Sequence, residues 1–263
     1  MTLPNRQWRE MRSADFGKAA ADWIAILPLA ATEQHGPHLP LGVDSLIAEG
    51  FVARCAKALP HGAPVTFLPV QQIGKSNEHI AFPGTLTLGW EPAIRTWIEI
   101  GESVSRAGLR ALILITSHGG NSAPMEIAAR ELRASHGMTV VTTSWGRLGN
   151  WQEVYAYKGP IIDIHAGLSE TALMLAMRPD LVDMTRAQDF PSAQTPLATG
   201  AAKLGYHGAA ANIAWLAQDL NPEGAVGEAS AATAEAGQRD IDGVVAGFCA
   251  LIDDLLRKLK EAQ

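Results

Sequence analysis

Apolar residues along this chain fall into two kinds of run. Ile24–Ala30, Val65–Val70, Ala111–Thr116 and Met138–Thr143 are short, mostly apolar stretches bounded by polar residues or glycine. That is the pattern of strands buried in a parallel sheet. Longer segments of helical character lie between them. Asp44–Leu59 opens on a capping-type Asp, Trp90–Ala107 is long and amphipathic, and Pro124–Ala134 is rich in strong helix formers. Near the end of the chain Ile241, Val244, Val245, Phe248, Leu251, Ile252, Leu255, Leu256 and Leu259 recur at helical spacing. They form a packing stripe, with Asp253, Asp254, Arg257, Lys258, Lys260 and Glu261 as the solvated face. The alternation predicts βαβ units and therefore an α/β fold, a parallel sheet covered by helices on both faces. The functional site is expected where loops leave the carboxyl ends of the strands.

With 263 residues, 47% of them hydrophobic and 18% charged, the chain has enough apolar material for a substantial core. Residues 1–263 are expected to form one domain, because no linker, charge block or repeat separates the halves. A net charge of -6 with scattered basic residues offers no attraction for a phosphate backbone, so nucleic acid is not an expected partner. The longest apolar run, Ile24–Ala31, is far short of the roughly 18 residues of a membrane span. Polar and charged residues in Met1–Met11 stand where an export signal needs an apolar stretch. Cys55 and Cys249 lie in helix-like apolar stretches without metal-type spacing. A reduced, cytoplasmic protein is the expectation.

The chemistry gathers at strand ends. After the first strand, Ala31–Asp44 places Glu33, His35, His38 and Asp44 in one loop bent by Gly36, Pro37, Pro40 and Gly42. Proline and glycine limit the freedom such a loop must lose when its donors are brought to one ion. Carboxylate mixed with imidazole suits Zn, Mn or Fe. Asp44 also has a simpler reading as a helix N-cap. A second loop, Ser117-His118-Gly119-Gly120-Asn121, follows the third strand. It contains neither of the glycine-rich phosphate fingerprints, so His118 reads better as a ligand than as part of a phosphate cradle. A third cluster, Asp163–Thr171, runs into a helical segment. Glu170 there falls in a first turn, where the helix dipole alone favours a carboxylate. No nucleophile elbow frames Ser76 or Ser117.

Together these loops resemble the creatininase (creatinine amidohydrolase) family. The resemblance rests on Glu33-Gln34-His35-Gly36-Pro37-His38-Leu39-Pro40, Asp44, Ser76-Asn77-Glu78-His79 with Phe82-Pro83-Gly84-Thr85, Ser117–Asn121, and His165-Ala166-Gly167 with Glu170. Gly224-Ala225-Val226-Gly227-Glu228 adds a late segment. It implies a three-layer α/β/α sandwich with a mostly parallel sheet, a homohexamer, a small-molecule substrate and two divalent ions, Zn, Mn or Fe, per subunit. Carried over by position, Glu33 and His118 would hold one ion, His35 the other, and Asp44 would bridge them. His165 matches a catalytic histidine, and Glu170 a site carboxylate acting on metal or proton. Ser76, Glu78, His79 and Trp145 are the expected substrate-binding residues. Trp145, Trp151 and Tyr155 are aromatic faces for a flat ring or simply core.

The implied reaction is hydrolysis of an amide, lactam or related carbonyl by a water acidified between two cations. Relatives acting on a cyclic ketone sugar or a peptide, and a metal-stabilised scaffold without activity, are the alternatives. One departure matters: creatinine-hydrolysing members carry Tyr and a metal-binding Glu after the loop histidine, where this chain has Gly119 and Gly120. Glu170 is then the expected substitute ligand. The space beside the two glycines is expected to admit a larger or more polar substrate than creatinine.

Overall fold

The first and third apolar runs become β1 (Ile24–Leu29) and β3 (Ala111–Thr116), each buried along its whole length. In the computed structural model, which describes residues 3–156, 163–195, 203–206 and 209–261, they pair in parallel from Ile24 opposite Ala111 to Leu29 opposite Thr116. β2 (Val65–Phe67) and β4 (Thr139–Ser144) flank them. The sheet order is β2-β1-β3-β4, with every neighbour parallel.

Alternation along the central strands sends side chains to two separate apolar layers, as a strand's two-residue period requires. Ile24, Ile26, Ala111, Ile113 and Ile115 join one layer, and Ala25, Leu27, Leu29, Leu112 and Leu114 the other. The first layer is closed by α1 (Val43–Ala58), α5 (Leu168–Met177) and α7 (Ala234–Glu261), through residues such as Phe51, Met174 and Phe248. The second is closed by α2 (Trp90–Arg106) and α3 (Ser122–His136), through Trp97 and Leu132. Single turns α4 (Trp151–Val154) and α6 (Ala217–Leu220) lie outside these layers. The expected three-layer α/β/α sandwich is what the chain forms.

Three local expectations shift. β2 ends at Phe67 rather than Val70. The Leu68 N–H still donates to Ile26 O (2.8 Å), but the next bond to β1 comes from Gln71 to Pro28 O (2.9 Å), one residue late. The chain therefore bulges across Pro69, where proline is tolerated. α1 starts at Val43 after Gly42, and Asp44 makes no capping bond. Its buried side chain turns toward the site instead. The sheet is wholly parallel, and the short pairings Asp189–Phe190 with Gly227–Glu228 and Leu204–Gly205 with Ala211–Asn212 lie apart from it. Among the described residues, no helix is long and apolar enough to cross a membrane.

The stripe read near the chain end is the buried face of α7, which begins well before it. Gly237 lets α7 approach α5 so closely that a Cβ there would collide with the Ala172 carbonyl. Gly237→Ala gains about 1 kcal/mol of helix propensity, but because the clash is with backbone it overpacks this contact by the upper part of the usual range, about 2–3 kcal/mol. We expect a net fall in melting temperature of about 2–8 °C by circular dichroism. An unchanged or raised value would show that the α5–α7 contact yields freely.

Candidate metal centre

β1 lies between β2 and β3, so the chain leaves it in one direction along the sheet and later continues on the other side. This switch point opens a crevice at the carboxyl ends of β1 and β3. The loop after β1 supplies Glu33 and His35, α1 supplies Asp44, and the turn after β3 supplies His118. The first loop is pinned on both sides. Glu33 N–H donates to Leu41 O (2.9 Å), Leu86 N–H to Thr32 O (2.8 Å) and Gln34 N–H to Thr85 Oγ1 (3.1 Å). Gly36 turns at φ 66°, which glycine adopts without strain. Ser117 Oγ donates to Asp44 O (2.8 Å) and so ties the two loops together.

The third loop is held by the late glycine-rich segment. Val226 N–H donates to His165 O (2.7 Å), and Gln34 Nε2 reaches Gly224 O (2.9 Å). Ala166, beside His165, sits at φ 52°, a strained conformation for a non-glycine residue. Its N–H donates to Glu170 Oε2 (2.6 Å) from the first turn of α5.

The side chains converge around Glu33, which is fully buried. Its Oε1 lies 3.1 Å from His118 Nδ1, 3.5 Å from His79 Nε2 and 3.6 Å from His165 Nδ1. Asp44 Oδ2 stands almost midway between His118 Nδ1 (3.8 Å) and His35 Nε2 (3.9 Å). Glu170 Oε2 lies 3.8 Å from the same His35 nitrogen. Both Glu33 oxygens, Asp44 Oδ2 and His35 Nε2 are buried without a hydrogen-bond partner. Buried polar atoms are rarely left so. Donors around a tetrahedral ion, at bonds of about 2.0–2.2 Å, lie roughly 3.4 Å apart. The spacings and the orphaned atoms therefore fit divalent cations.

Hydrogen bonds sort the histidines. His35 Nδ1 faces Glu33 O (3.0 Å), His118 Nε2 faces Lys75 O (3.1 Å) and His165 Nε2 faces Gln34 O (2.6 Å). Each carbonyl accepts a ring N–H and leaves the other nitrogen's lone pair turned into the cluster, the usual arrangement behind a ligating imidazole. His79 is different. Gln34 Oε1 accepts the Gly36 N–H (2.9 Å), so its amide nitrogen is the atom that faces both Gly224 O and His79 Nδ1 (2.7 Å). His79 Nδ1 must accept, and its proton sits on Nε2, aimed at Glu33.

Ionisation reflects the same crowding. Burial opposes charge on Glu33, but His118, His165 and His79 overcome it and hold the carboxyl well below its usual range. Burial, reinforced by Glu33, pushes Asp44 well above its range, and burial also raises Glu170. His35 and His165 fall to about 4, chiefly through burial. His118 is the exception, because Glu33, Glu78 and Asp44 outweigh its burial and raise it well above the usual imidazole value.

A cavity of about 430 Å³ extends from His118 and Glu170 past Trp145 and Trp151 to Asp240, within the range of small-ligand sites. Glu170, with 23% of its side chain accessible, is the carboxylate of the cluster that faces this space. Of the residues expected to bind substrate, Trp145 lines the cavity but is buried between Phe51, on which it stacks, and the tilted ring of Phe248. Ser76 is fully buried, with its hydroxyl unpartnered. His79 belongs to the cluster, and Glu78 is engaged by His118 Nε2 (3.3 Å) and Lys75 (3.8 Å). Tyr155 donates to Asp240 Oδ2 (3.1 Å) and so stands behind that lining residue rather than at the cavity surface. The space expected beside Gly120 is filled by Glu78, His118 and the Lys75 carbonyl. Only beside Gly119 is there room. Sequence reasoning missed Gln34 and Asn121. Asn121 joins the loops through Ala30 O (3.1 Å) and the Lys75 N–H (2.9 Å). Both lie inside motifs already noticed, which was the available signal.

A sequence model of the Creatininase family, described as creatinine amidohydrolase, matches residues 9–252. This chain belongs to the creatininase family. It is 32% identical over 257 residues, 95% of this chain and 90% of the relative, to a mycofactocin precursor peptide peptidase of Mycobacterium ulcerans. It is 34% identical over 206 residues, 72% of this chain and 76% of the relative, to a creatinine amidohydrolase of Pseudomonas putida. Solved creatininase structures, one of Mn form and a variant of Zn-Zn type, superpose with TM-score 0.77 at 27% and 26% identity. They cover 96% of this chain and 99% and 98% of theirs. The chain is thus a creatininase-family hydrolase.

Asp44, Glu170 and His118 all have raised values, so without a cation the cluster retains protons that a cation must displace. Affinity for Zn or Mn should therefore rise with pH. Calorimetry in buffers of different ionisation enthalpy should show net proton release. Asp44→Asn should release fewer protons and retain at most one ion per chain by elemental analysis. Two ions in that variant, or affinity indifferent to pH, would break the assignment.

Proposed function

We propose that this chain is a metal-dependent amidohydrolase that uses two divalent ions to cleave a C–N bond of an amide or lactam type. The observation that carries this reading is Asp44 Oδ2, buried, unpaired and nearly equidistant from His35 and His118. Glu33 and His118 would hold one ion, His35 and Glu170 the other, and Asp44 both. Bound cations supply polarisation of a carbonyl and acidification of a water. His165, neutral and with its Nδ1 lone pair turned inward, takes a proton from the attacking water and delivers it to the departing nitrogen. Glu33, 3.6 Å away, stabilises the imidazolium in between. The Gln34–His79 pair keeps an N–H turned toward Glu33, 3.5 Å away. Glu170 accepts the Ala166 N–H, which sets the backbone carrying His165.

Two substrate classes fit. A small amide or lactam suits the cavity volume. A peptide bond is favoured by the relative named as a peptide peptidase, which aligns over 95% of this chain. Creatinine fits less well, because Gly120 brings no carboxylate and its side-chain space is occupied. Purified enzyme should turn over creatinine slowly or not at all, and act on a member of a panel of amides, lactams and short peptides. His165→Ala should keep its metal and lose roughly 10²–10⁴-fold in rate. Glu170→Gln should lose both metal and rate. Brisk creatinine hydrolysis would end the substrate argument, and wild-type rates in His165→Ala would remove that residue from the mechanism.

The same reading makes the protein a cytoplasmic homo-oligomer, with a hexamer as the assembly its resemblance implies. Ile73, Ile80, Leu86 and Trp90 expose large apolar side chains within one stretch of the chain, a pattern that subunit contacts cover. Light scattering should give a closed oligomer, and Trp90→Glu should dissociate it. A wild-type monomer at micromolar concentration would overturn this.

A further inference from the structure

Gly120 does not need glycine for its backbone, since neither it nor Gly119 has a positive φ. The two differ in their surroundings. A Cβ on Gly119 would meet nothing within 4 Å, whereas one on Gly120 would collide with Glu78 Oε1 and His118 Nε2 and lie 2.5 Å from the Lys75 carbonyl. Glycine is required at 120 because the Glu78 carboxylate, the His118 ring and the Lys75 backbone carbonyl together occupy the place of its side chain.

That carboxylate comes from the single turn Asn77–His79, on the opposite wall of the crevice. Glu78 Oε1 lies 3.3 Å from His118 Nε2, and Oε2 lies 3.8 Å from Lys75 Nζ. Lys75 also offers its backbone carbonyl to the same imidazole nitrogen, at 3.1 Å. The Nε2–H of His118 therefore points between a carbonyl and a carboxylate, and the remaining nitrogen, Nδ1, points at Glu33 and Asp44.

We propose that Glu78 and Gly120 are a matched pair: Gly120 leaves a slot into which Glu78 reaches, and Glu78 there acts as the positioning residue that fixes the ring of His118. Glu78 faces Nε2 of His118, the nitrogen turned away from Glu33 and Asp44, so it stands behind the ring. It acts one residue removed, by fixing the direction of the Nδ1 lone pair and raising the basicity of the ring. Lys75 balances its charge, so the carboxylate does not add to the excess around Glu33. The consequence reaches beyond this chain's own site. A carboxylate at position 120, as in creatinine-hydrolysing relatives, and Glu78 in its present position exclude one another. Grafting a glutamate at 120 would expel Glu78 and disturb His118 rather than add a ligand.

This rests on reading His118 as a ligand, and the test has a separate arm for that. The full chain, stripped of metal, is titrated with Zn or Mn against a chromophoric chelator. Glu78→Ala should bind on the order of 10- to 100-fold more weakly, the usual effect of removing such a partner. Glu78→Gln, which keeps the volume and one acceptor oxygen, should fall between. Gly120→Ala should weaken binding to a similar degree, and Gly119→Ala should not. The double variant Glu78→Ala/Gly120→Ala should be weakened by less than the product of the single effects.

In parallel, the Nε2 proton of His118 is followed by NMR in metal-free, ¹⁵N-histidine-labelled protein. It should move upfield and exchange faster in Glu78→Ala. Wild-type affinity in Glu78→Ala with an unmoved proton would overturn the proposal. Equal losses in Gly119→Ala and Gly120→Ala, or losses in the double variant that multiply, would overturn the matched pair. Absence of metal binding by the wild type, with the proton still moving, would defeat the metal reading while supporting the role of Glu78.

Discussion

Everything around the crevice answers one constraint, a carboxylate with no surface exposed, set at the end of the central strands. A buried carboxylate is tolerated only when opposite charge or N–H groups surround it. Glu33 receives no aligned hydrogen bond at either oxygen, so His79, His118 and His165 surround it instead. The difficulty then propagates. Imidazoles packed with ring centres 4.1–4.2 Å apart, as His165 is with His79 and His35, cannot all be charged, and burial keeps all but His118 neutral. Asp44 and Glu170 are consequently short of cationic partners. The cluster holds more acid than its own bases neutralise, a composition that cations from outside would complete.

Holding such a cluster in place demands a rigid frame, and backbone carbonyls of the loops provide it. Glu33, Gln34 and Lys75 each offer a carbonyl to one ring nitrogen. Rings fixed in this way lose little freedom when an ion arrives, so more of the binding energy survives as affinity. The loops are steadied by close approaches that need glycine. Gly167 and Gly227 let the His165 loop pass against Asp163 and the Val226 strand pair. Gly237 lets α7 press on α5, which carries Glu170. Packing far from the chemistry thereby sets where a site carboxylate stands.

Much of this was legible in the sequence. Buried parallel strands leave continuous apolar runs, so β1 and β3 could be bounded within a residue, and the helical period of Ile241–Leu259 marked the inner face of α7. The donors Glu33, His35, Asp44 and His118 stood out because glycine and proline gather them at strand ends. What could not be read was direction. Asp44 at the start of a helix has the sequence appearance of a cap, and only the fold shows its side chain turned into the crevice. Glu78 was expected at the substrate from its own motif, and its approach to His118, 40 residues later, could not be read from either motif alone. No local pattern reports that a carboxylate from one wall fills the side-chain space of a glycine on the other. The early end of β2 depends on a bulge across Pro69 that burial patterns do not encode.

The four cluster imidazoles carry the finest distinction. His79 lies as near Glu33 as His165 does, and proximity alone would make either a ligand. For His79 to offer Nε2 to an ion, its Nδ1 would need the proton, and the Gln34 amide nitrogen 2.7 Å away would then face a second donor. Turning the Gln34 amide over would relieve that contact only by setting its nitrogen against the Gly36 N–H and its oxygen against Gly224 O. Two hydrogen bonds in a buried place would be lost, each leaving a group whose desolvation is uncompensated at roughly 1–3 kcal/mol. His79 is therefore held with its Nε2–H toward Glu33, while His35 and His165 present lone pairs and His118 presents one once a cation displaces its proton. Of these, His35 and His165 have only a backbone carbonyl behind the outer nitrogen, whereas His118 also has Glu78, and the ring of His165 lies 4.2 Å from that of His35, tilted by 39°. On the proposed mechanism His165, neutral and turned inward, is the one that exchanges a proton with the substrate.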